Sequence, residues 1–311
     1  MGRQLGKIEF TDYLCCPECK SDLLACKECL KCKKCSKQYR VYERIPVLID
    51  LDNLTAHLKG QVKYFERETR ERAVSRFELE PCQKSFLIKF MSNAGKIKDS
   101  VVIDCGTGSG YMAIELAKRG ARVIACDLTL ESLIRLKQIG KECGLSDNLF
   151  LVCCTAESLP FKDGVADYFI SNAVLEHLPR EKEAILEIDR VTKNNARMMI
   201  TVPLCYRYIN PLLLPVNWLY DKRIGHLRRY DEKKLAEKFP NWAIKKSYFT
   251  GHTAKVMKVL INAGIKAFDA EGIEAEDENK QARKWGAHNI ISFFAKKPTR
   301  GRLTGKNEGY H

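Results

Sequence analysis

The stretch 101-VVIDCGTGSG-110 decides the fold. It joins an apolar run to a carboxylate, Asp104, and then to Gly106, Gly108 and Gly110, after which a helical pattern begins at Tyr111. Glycines let the backbone turn sharply, and amides at the following helix start face an incoming polar group. A dinucleotide enzyme would carry G-x-G-x-x-G; the spacing here is G-x-G-x-G, with Asp104 two residues before the first glycine. Outward from this turn, apolar runs at 122–126, 149–153, 168–171, 197–202 and 290–297 alternate with helical patterns after Gly110, near 130–142 and near 181–191. Continuous apolar strands between amphipathic helices mean a parallel sheet covered on both faces, a doubly wound α/β architecture.

The N-terminus is of another kind. Of the 14 cysteines, Cys15, Cys16, Cys19, Cys26, Cys29, Cys32 and Cys35 crowd together, and the first ten residues lack the apolar core of a secretory signal. Reduced thiols so spaced read as metal ligands before they read as disulfides. Cys16-x2-Cys19 and Cys32-x2-Cys35 each present two thiolates from one tight turn, and four thiolates suit a closed, structural zinc site. Spacing alone leaves the registers Cys26-x2-Cys29 and Cys29-x2-Cys32 open.

With 311 residues, at roughly 150 per domain, two domains are expected. A hydrophobic content of 45% and a charged content of 30% exclude a disordered chain, and no run reaches the ~18 apolar residues of a spanning helix. A cytoplasmic protein is expected. The net charge of +14 is spread along the chain and admits acidic partners such as RNA, nucleotides or anionic lipid surfaces. Residues 203–224, PLCYRYINPLLLPVNWLYDKRI, form an apolar and aromatic insertion that Pro211 and Pro215 keep from being one long helix. With Arg207, Lys222 and Arg223 at its margins, it reads as a lid over a lipophilic acceptor, as a peripheral contact with the inner membrane face, or as a cap on the core. Residues 51–98 carry amphipathic helices, 269–282 an acid-rich solvated loop or helix end, and 299–311 a disordered basic tail.

Four motifs in order, VVIDCGTGSG, ARVIACDLT, CCTAESLPF and NAVLEHLP followed by EIDRV, resemble the class I S-adenosylmethionine-dependent methyltransferases over about 101–298, specifically the group with small-molecule, lipid and quinone substrates. The resemblance implies a doubly wound, seven-stranded, mainly parallel sheet in a core of 99–298, with 51–98 as a helical cap over the cofactor site. It implies S-adenosylmethionine bound by the glycine turn of Gly106, Thr107, Gly108 and Gly110. Asp127 would hold the ribose diol, Asp104 the ammonium group, and Leu128 with the Ala156 amide the adenine; Asn172 ends the fourth strand and Tyr64 would close over the cofactor. Where the family most often has an acid facing the adenine amino group, Thr155 stands here, which weakens that contact or shifts it to Glu157; Asn194-Asn195-Ala196 replaces the usual Pro-Gly-Gly turn, and asparagine tolerates its left-handed backbone. The pattern CPxCK, CxxC, Tyr39 and IPVLI resembles the zinc-ribbon family that includes the activator subunit of tRNA and release-factor methyltransferases, and implies zinc on Cys16, Cys19, Cys32 and Cys35 in a domain of residues 1–50.

Methyl transfer is an in-line displacement, so alignment and exclusion of water matter more than acid–base groups. The candidates for a general base are His177 in LEHLP and His226 and Tyr230 in GHLRRYD; His177 also reads as a structural histidine at a helix start. The expectation is methyl transfer to a small-molecule or lipid-like acceptor. An RNA methyltransferase, for tRNA or rRNA, would use the ribbon and the basic surface, but Asn172 is followed by Ala-Val-Leu and not by the Pro-Pro-Tyr of amino-group methylating enzymes. A non-enzymatic zinc-ribbon interaction protein is the third reading.

Overall fold

In the computed structural model, residues 9–71, 77–254, 256–257 and 269–298 are described. The tail expected at 299–311 lies outside them. The chain opens on a short antiparallel meander of β1 (Leu23–Ala25), β2 (Cys29–Cys32), β3 (Gln38–Tyr42) and β4 (Ile45–Pro46). Two helices follow, α1 (Ala56–Glu71) and α2 (Pro81–Ala94), the second entered through a capping box between Glu80 and Gln83.

The core alternates strand and helix: β5 (Val101–Cys105), α3 (Tyr111–Lys118), β6 (Arg122–Asp127), α4 (Leu130–Glu142), β7 (Leu149–Cys153), β8 (Ala166–Asn172), α5 (Glu181–Val191) and β9 (Thr192–Pro203). After these come α6 (Leu214–Ile224), α7 (Glu232–Lys238), β10 (Trp242–Thr250), α8 (Ala270–Lys280) and β11 (Asn289–Lys296). The sheet has seven strands in the order β10-β11-β9-β8-β5-β6-β7. Pairings from β7 through β9 are parallel, and β11 runs antiparallel to both β9 and β10. Period-two alternation divides the core: Val101, Ile103 and Cys105 enter one apolar cluster with α5 and α7, while Val102 enters the other with α2, α3 and α4. The chain builds outward from β5 to β7 and then returns to β8. Strand order therefore reverses between β5 and β8, and at such a switch point the carboxyl ends of the strands open a crevice.

Three expectations are corrected. β10 is absent from the apolar runs read in the sequence because it is an edge strand whose Lys245 and Lys246 face solvent. Asn194-Asn195-Ala196 form no left-handed turn; they lie inside β9, where the register against β8 slips between Ala166 and Tyr168. The acid-rich segment is the helix α8, tied to α2 by an ion pair from the buried Lys89 to Glu278 and closed by Asp277, which accepts from the Thr253 amide (2.6 Å). No helix among the described residues is long and apolar enough to cross a membrane.

Candidate functional site

A cavity of about 1100 Å³ occupies the switch point, roofed by α1 and α6. Its first lobe is made by the strand ends. Gly106 has a φ of +71°, and a Cβ there would lie 2.3 Å from Val174 Cγ2, so only glycine fits this turn beneath the β8 loop. Asp127, at the end of β6, accepts from the Gly108 amide (2.9 Å) and the Thr129 amide (2.8 Å) and so pins the glycine turn to the start of α4. Burial raises its pKa. Asp104 lies deeper, accepts from the Thr107 hydroxyl (2.7 Å), and is pushed to about 6 by burial, with the Asp127 charge adding to the effect.

Gly106, Gly108, Asp127, Leu128, Ala156 and Asn172 all line this lobe, as does Tyr64 from α1. Asp104, Thr107 and Gly110 stand behind the wall; Thr107 braces Asp104, and Gly110 caps α3. Glu157 is a correction. It is buried away from the lobe, where its carboxylate accepts from the Arg180 amide (2.6 Å) and guanidinium (3.1 Å). The short turn at Ala156–Ser158 directs it there, which leaves Thr155 on the cavity wall.

The second lobe is built from the loop after β8, the end of α6 and the segment after it. Glu176, His177 and His226 line it together with Asn217 and Arg229. Asp221, on the buried side of α6, gathers four donors: His226 Nδ1 (2.9 Å), Arg229 through Nε (2.6 Å) and Nη2 (2.8 Å), and the Tyr206 hydroxyl (2.6 Å). Although burial opposes it, hydrogen bonds from His226, Arg229 and Tyr206 hold the Asp221 carboxyl well below the usual range. With Nδ1 held by that carboxylate, His226 turns Nε2 toward Glu176, 3.6 Å from its Oε1. Glu176 is 1% exposed, neither of its carboxylate oxygens has a hydrogen-bond partner, and burial pushes it to about 8. His177, packed edge-on to His226 with ring centroids 4.8 Å apart, is pushed down to about 3 by burial and its imidazole neighbour.

Tyr230, expected at the site, is a second correction. Its ring is fully buried in the core and its hydroxyl donates to Glu181 (2.6 Å). In GHLRRYD, His226 and Arg229 turn to the cavity while Tyr230 and Asp231 serve the core and the cap of α7. The sequence reading passed over Glu176, which was visible beside His177, and Asp221, which lay in a segment valued for its apolar and basic residues.

At the other end of the chain, the sulfurs of Cys16, Cys19, Cys32 and Cys35 all lie within 4.8 Å of one another. The separations Cys16–Cys35 (3.7 Å) and Cys19–Cys32 (3.4 Å) are far beyond a disulfide and close to the ~3.8 Å edge of a tetrahedron with metal–sulfur bonds of ~2.3 Å. Against the raising effect of burial, the Cys35 and Lys34 amides hold the Cys32 thiol down to about 6, which favours the thiolate a metal needs. Cys26 and Cys29 stand outside this group.

Residues 103–200 match the family model described as a methyltransferase domain. The chain is similar to the tRNA 5-carboxymethoxyuridine methyltransferase of Escherichia coli (strain K12), 38% identical over 76 residues, which is 24% of this chain and 29% of that protein. It is also similar to the sarcosine/dimethylglycine N-methyltransferase of Halorhodospira halochloris, 33% identical over 107 residues, 34% of this chain and 38% of that one. The chain thus spans about a third of the length of these relatives. Among solved structures, geranyl diphosphate C-methyltransferase from Streptomyces coelicolor A3(2), in complex with Mg2+, geranyl diphosphate and S-adenosyl-L-homocysteine, aligns with a TM-score of 0.59 at 13% identity over 78% of this chain and 98% of that one. Residues 103–200 thus match a methyltransferase domain, and the sheet that holds them has the fold of the class I S-adenosylmethionine-dependent methyltransferases.

Proposed function

We propose that this protein is an S-adenosylmethionine-dependent methyltransferase acting on a small or lipid-like acceptor. The observation that carries the proposal is the pairing of the Gly106–Gly108 turn with Asp127 at the switch point, in a cavity that continues into a separate polar lobe. The residues fit the cofactor. Beside its bonds to the Gly108 and Thr129 amides, Asp127 presents its carboxylate at the cavity wall, where it can accept from a ribose diol. Asp104, buried behind the glycine turn, supplies the negative charge for an ammonium group, and Leu128 with Ala156 walls an adenine. When bound, the cofactor supplies a methyl group activated by a sulfonium. Tyr64 and Phe65 of α1 and Tyr220 and Ile224 of α6 close the cavity against water, and His177, His226 and Arg229 orient the acceptor in the second lobe.

An acceptor with a lipid-like portion is supported by the outer face of the insertion, where Leu212, Trp218 and Leu219 are exposed beside Lys222 and Arg223. The similarity to a tRNA methyltransferase and the net charge of +14 support an RNA acceptor as the second reading. We also propose one structural zinc ion on Cys16, Cys19, Cys32 and Cys35. Calorimetry with S-adenosylmethionine tests the cofactor directly. Tritium transfer from labelled cofactor into lipid, small-molecule and RNA fractions assigns the acceptor; label confined to RNA, with binding that falls steeply with salt, overturns the small-acceptor reading.

A further inference from the structure

The second lobe contains more than an acceptor wall needs. Glu176 is 1% and His177 8% exposed, and the His226 side chain 9%. Glu176 Oε1 and Oε2 and His177 Nδ1 are buried polar atoms with no hydrogen-bond partner, and one donor atom from each of Glu176, His177 and His226 falls within a common span of 4.8 Å. A buried polar atom without a partner costs roughly 1–3 kcal/mol, and unpartnered atoms on two of three residues whose donor atoms converge call for a group that satisfies them.

The outer contacts of the histidines add an independent argument. Ligating imidazoles are held by a hydrogen bond from their far nitrogen, most often to a carboxylate or a backbone carbonyl. His226 donates in this way to Asp221 at 2.9 Å, and the His177 ring to the Gly225 backbone. Asp221 is itself fixed by Arg229 and Tyr206, so the His226 ring is oriented before any ligand arrives. The 3.6 Å between Glu176 Oε1 and His226 Nε2 is too long for a hydrogen bond, and it is close to the ~3.4 Å that separates two ligands at ~2.1 Å from a tetrahedral ion.

We propose that Glu176, His177 and His226 form a binding site for one divalent transition cation of the zinc or iron(II) class, distinct from the cysteine site. Two imidazoles and one carboxylate exclude magnesium and calcium, which take oxygen ligands, and leave coordination positions open toward the cavity. Resting on the methyltransferase reading, those positions take an oxygen of the acceptor. The acceptor class is then a molecule with a hydroxyl, enol or carboxylate group beside the atom to be methylated.

The test uses the full chain and Zn2+. Wild-type protein, Glu176→Gln and His226→Gln are equilibrated with Zn2+, freed of excess by dialysis, and assayed for zinc per chain by mass spectrometry. Circular dichroism selects the variants that fold. The expected result is the loss of one equivalent of zinc per chain in each folded variant relative to wild type. That difference does not depend on how much zinc the cysteines hold. Wild-type zinc content in either folded variant overturns the site. Calorimetry with S-adenosylhomocysteine on the same preparations reports on the cofactor pocket separately, so failure of one reading is distinguishable from failure of the other.

Discussion

Replacing Asp127 by alanine isolates the contact on which the cofactor assignment turns. In the free protein the carboxylate accepts from Gly108 (2.9 Å) and Thr129 (2.8 Å), joining the glycine turn to the start of α4. A ribose diol would give the same carboxylate two hydrogen bonds, and charge-assisted hydrogen bonds contribute about 1.5–3 kcal/mol each. Removing both therefore weakens binding by about 3–6 kcal/mol, a factor of roughly 10² to 10⁴ in Kd. Fold stability should change far less, because two effects oppose. The amides lose their acceptor, while the fold is relieved of a buried carboxylate whose pKa burial has raised. A melting temperature within a few degrees of wild type is expected. Asp127→Asn keeps one acceptor oxygen but turns an amide NH2 toward a backbone N–H, and should lose about 1.5–3 kcal/mol of affinity. Isothermal titration with S-adenosylhomocysteine, alongside thermal melts, measures both quantities. A folded Asp127→Ala protein with affinity within about tenfold of wild type refutes the ribose assignment and the geometry built on it.

Gly110→Ala places a Cβ 2.3 Å from Leu136 Cδ1 at a φ of +74°. Overpacking together with a left-handed alanine should destabilise by about 2–4 kcal/mol, read as a fall of roughly 5–15 °C in melting temperature. Asp104 in the fold titrates at about 6, above its unfolded value, so the folded state favours the protonated acid and stability declines as pH rises from about 4 through 6, then levels. Cofactor affinity should run oppositely, rising up to pH ~6 and flat above it; a pH-independent affinity between 5 and 8 contradicts the ammonium role, and Asp104→Asn should gain up to about 3 kcal/mol of stability at pH 8 while losing affinity. Asp221→Ala strands the buried Arg229 guanidinium and should destabilise by about 3–5 kcal/mol in a urea melt. Because its folded pKa is lowered, the stability Asp221 contributes is present above the usual carboxylate range and is lost as pH falls through the lowered value.

How much of this was legible in the sequence follows from the range of the interactions. β5 through β8 are buried on both faces, and a strand buried twice is apolar throughout, so its run stands out. β10 is an edge with lysines to solvent, and α8 is held partly by an ion pair, so neither has an apolar signature. Asp104, Asp127 and the glycines are readable because a turn directly after a strand fixes their positions. Glu176 stands beside His177, but its role was hidden because its neighbour His226 arrives from a distant segment, tied by the Leu227 amide to the Glu176 carbonyl (2.8 Å); Asp221 lies only five residues before His226 and eight before Arg229, and was masked by the apolar and basic residues around it. Tyr230 and Glu157 misled for the converse reason. Each stands beside a cavity residue in sequence, but local backbone direction sends one to Glu181 and the other to Arg180.

The cysteine module is bonded to the core where an adenine would sit. Leu48 donates to the Cys153 carbonyl (2.8 Å), Cys15 to that of Pro160 (2.9 Å), and Ser158 to that of Pro17 (2.7 Å). Lys20, next to the first knuckle, reaches the Leu159 carbonyl (3.3 Å) and pairs with Glu187 of α5 (2.7 Å). These contacts hold both ends of the loop 154–160, whose Cys154, Thr155 and Ala156 line the cavity. A loop already fixed loses less conformational freedom when a ligand binds, so a rigid module behind it contributes to affinity without touching the ligand. The proposed ion, closing the four thiolates of Cys16, Cys19, Cys32 and Cys35, would make so small a sheet rigid. On the proposed reading the cysteine module would have a sufficient physical role in cofactor binding, and its presence would then not argue for RNA over a small acceptor.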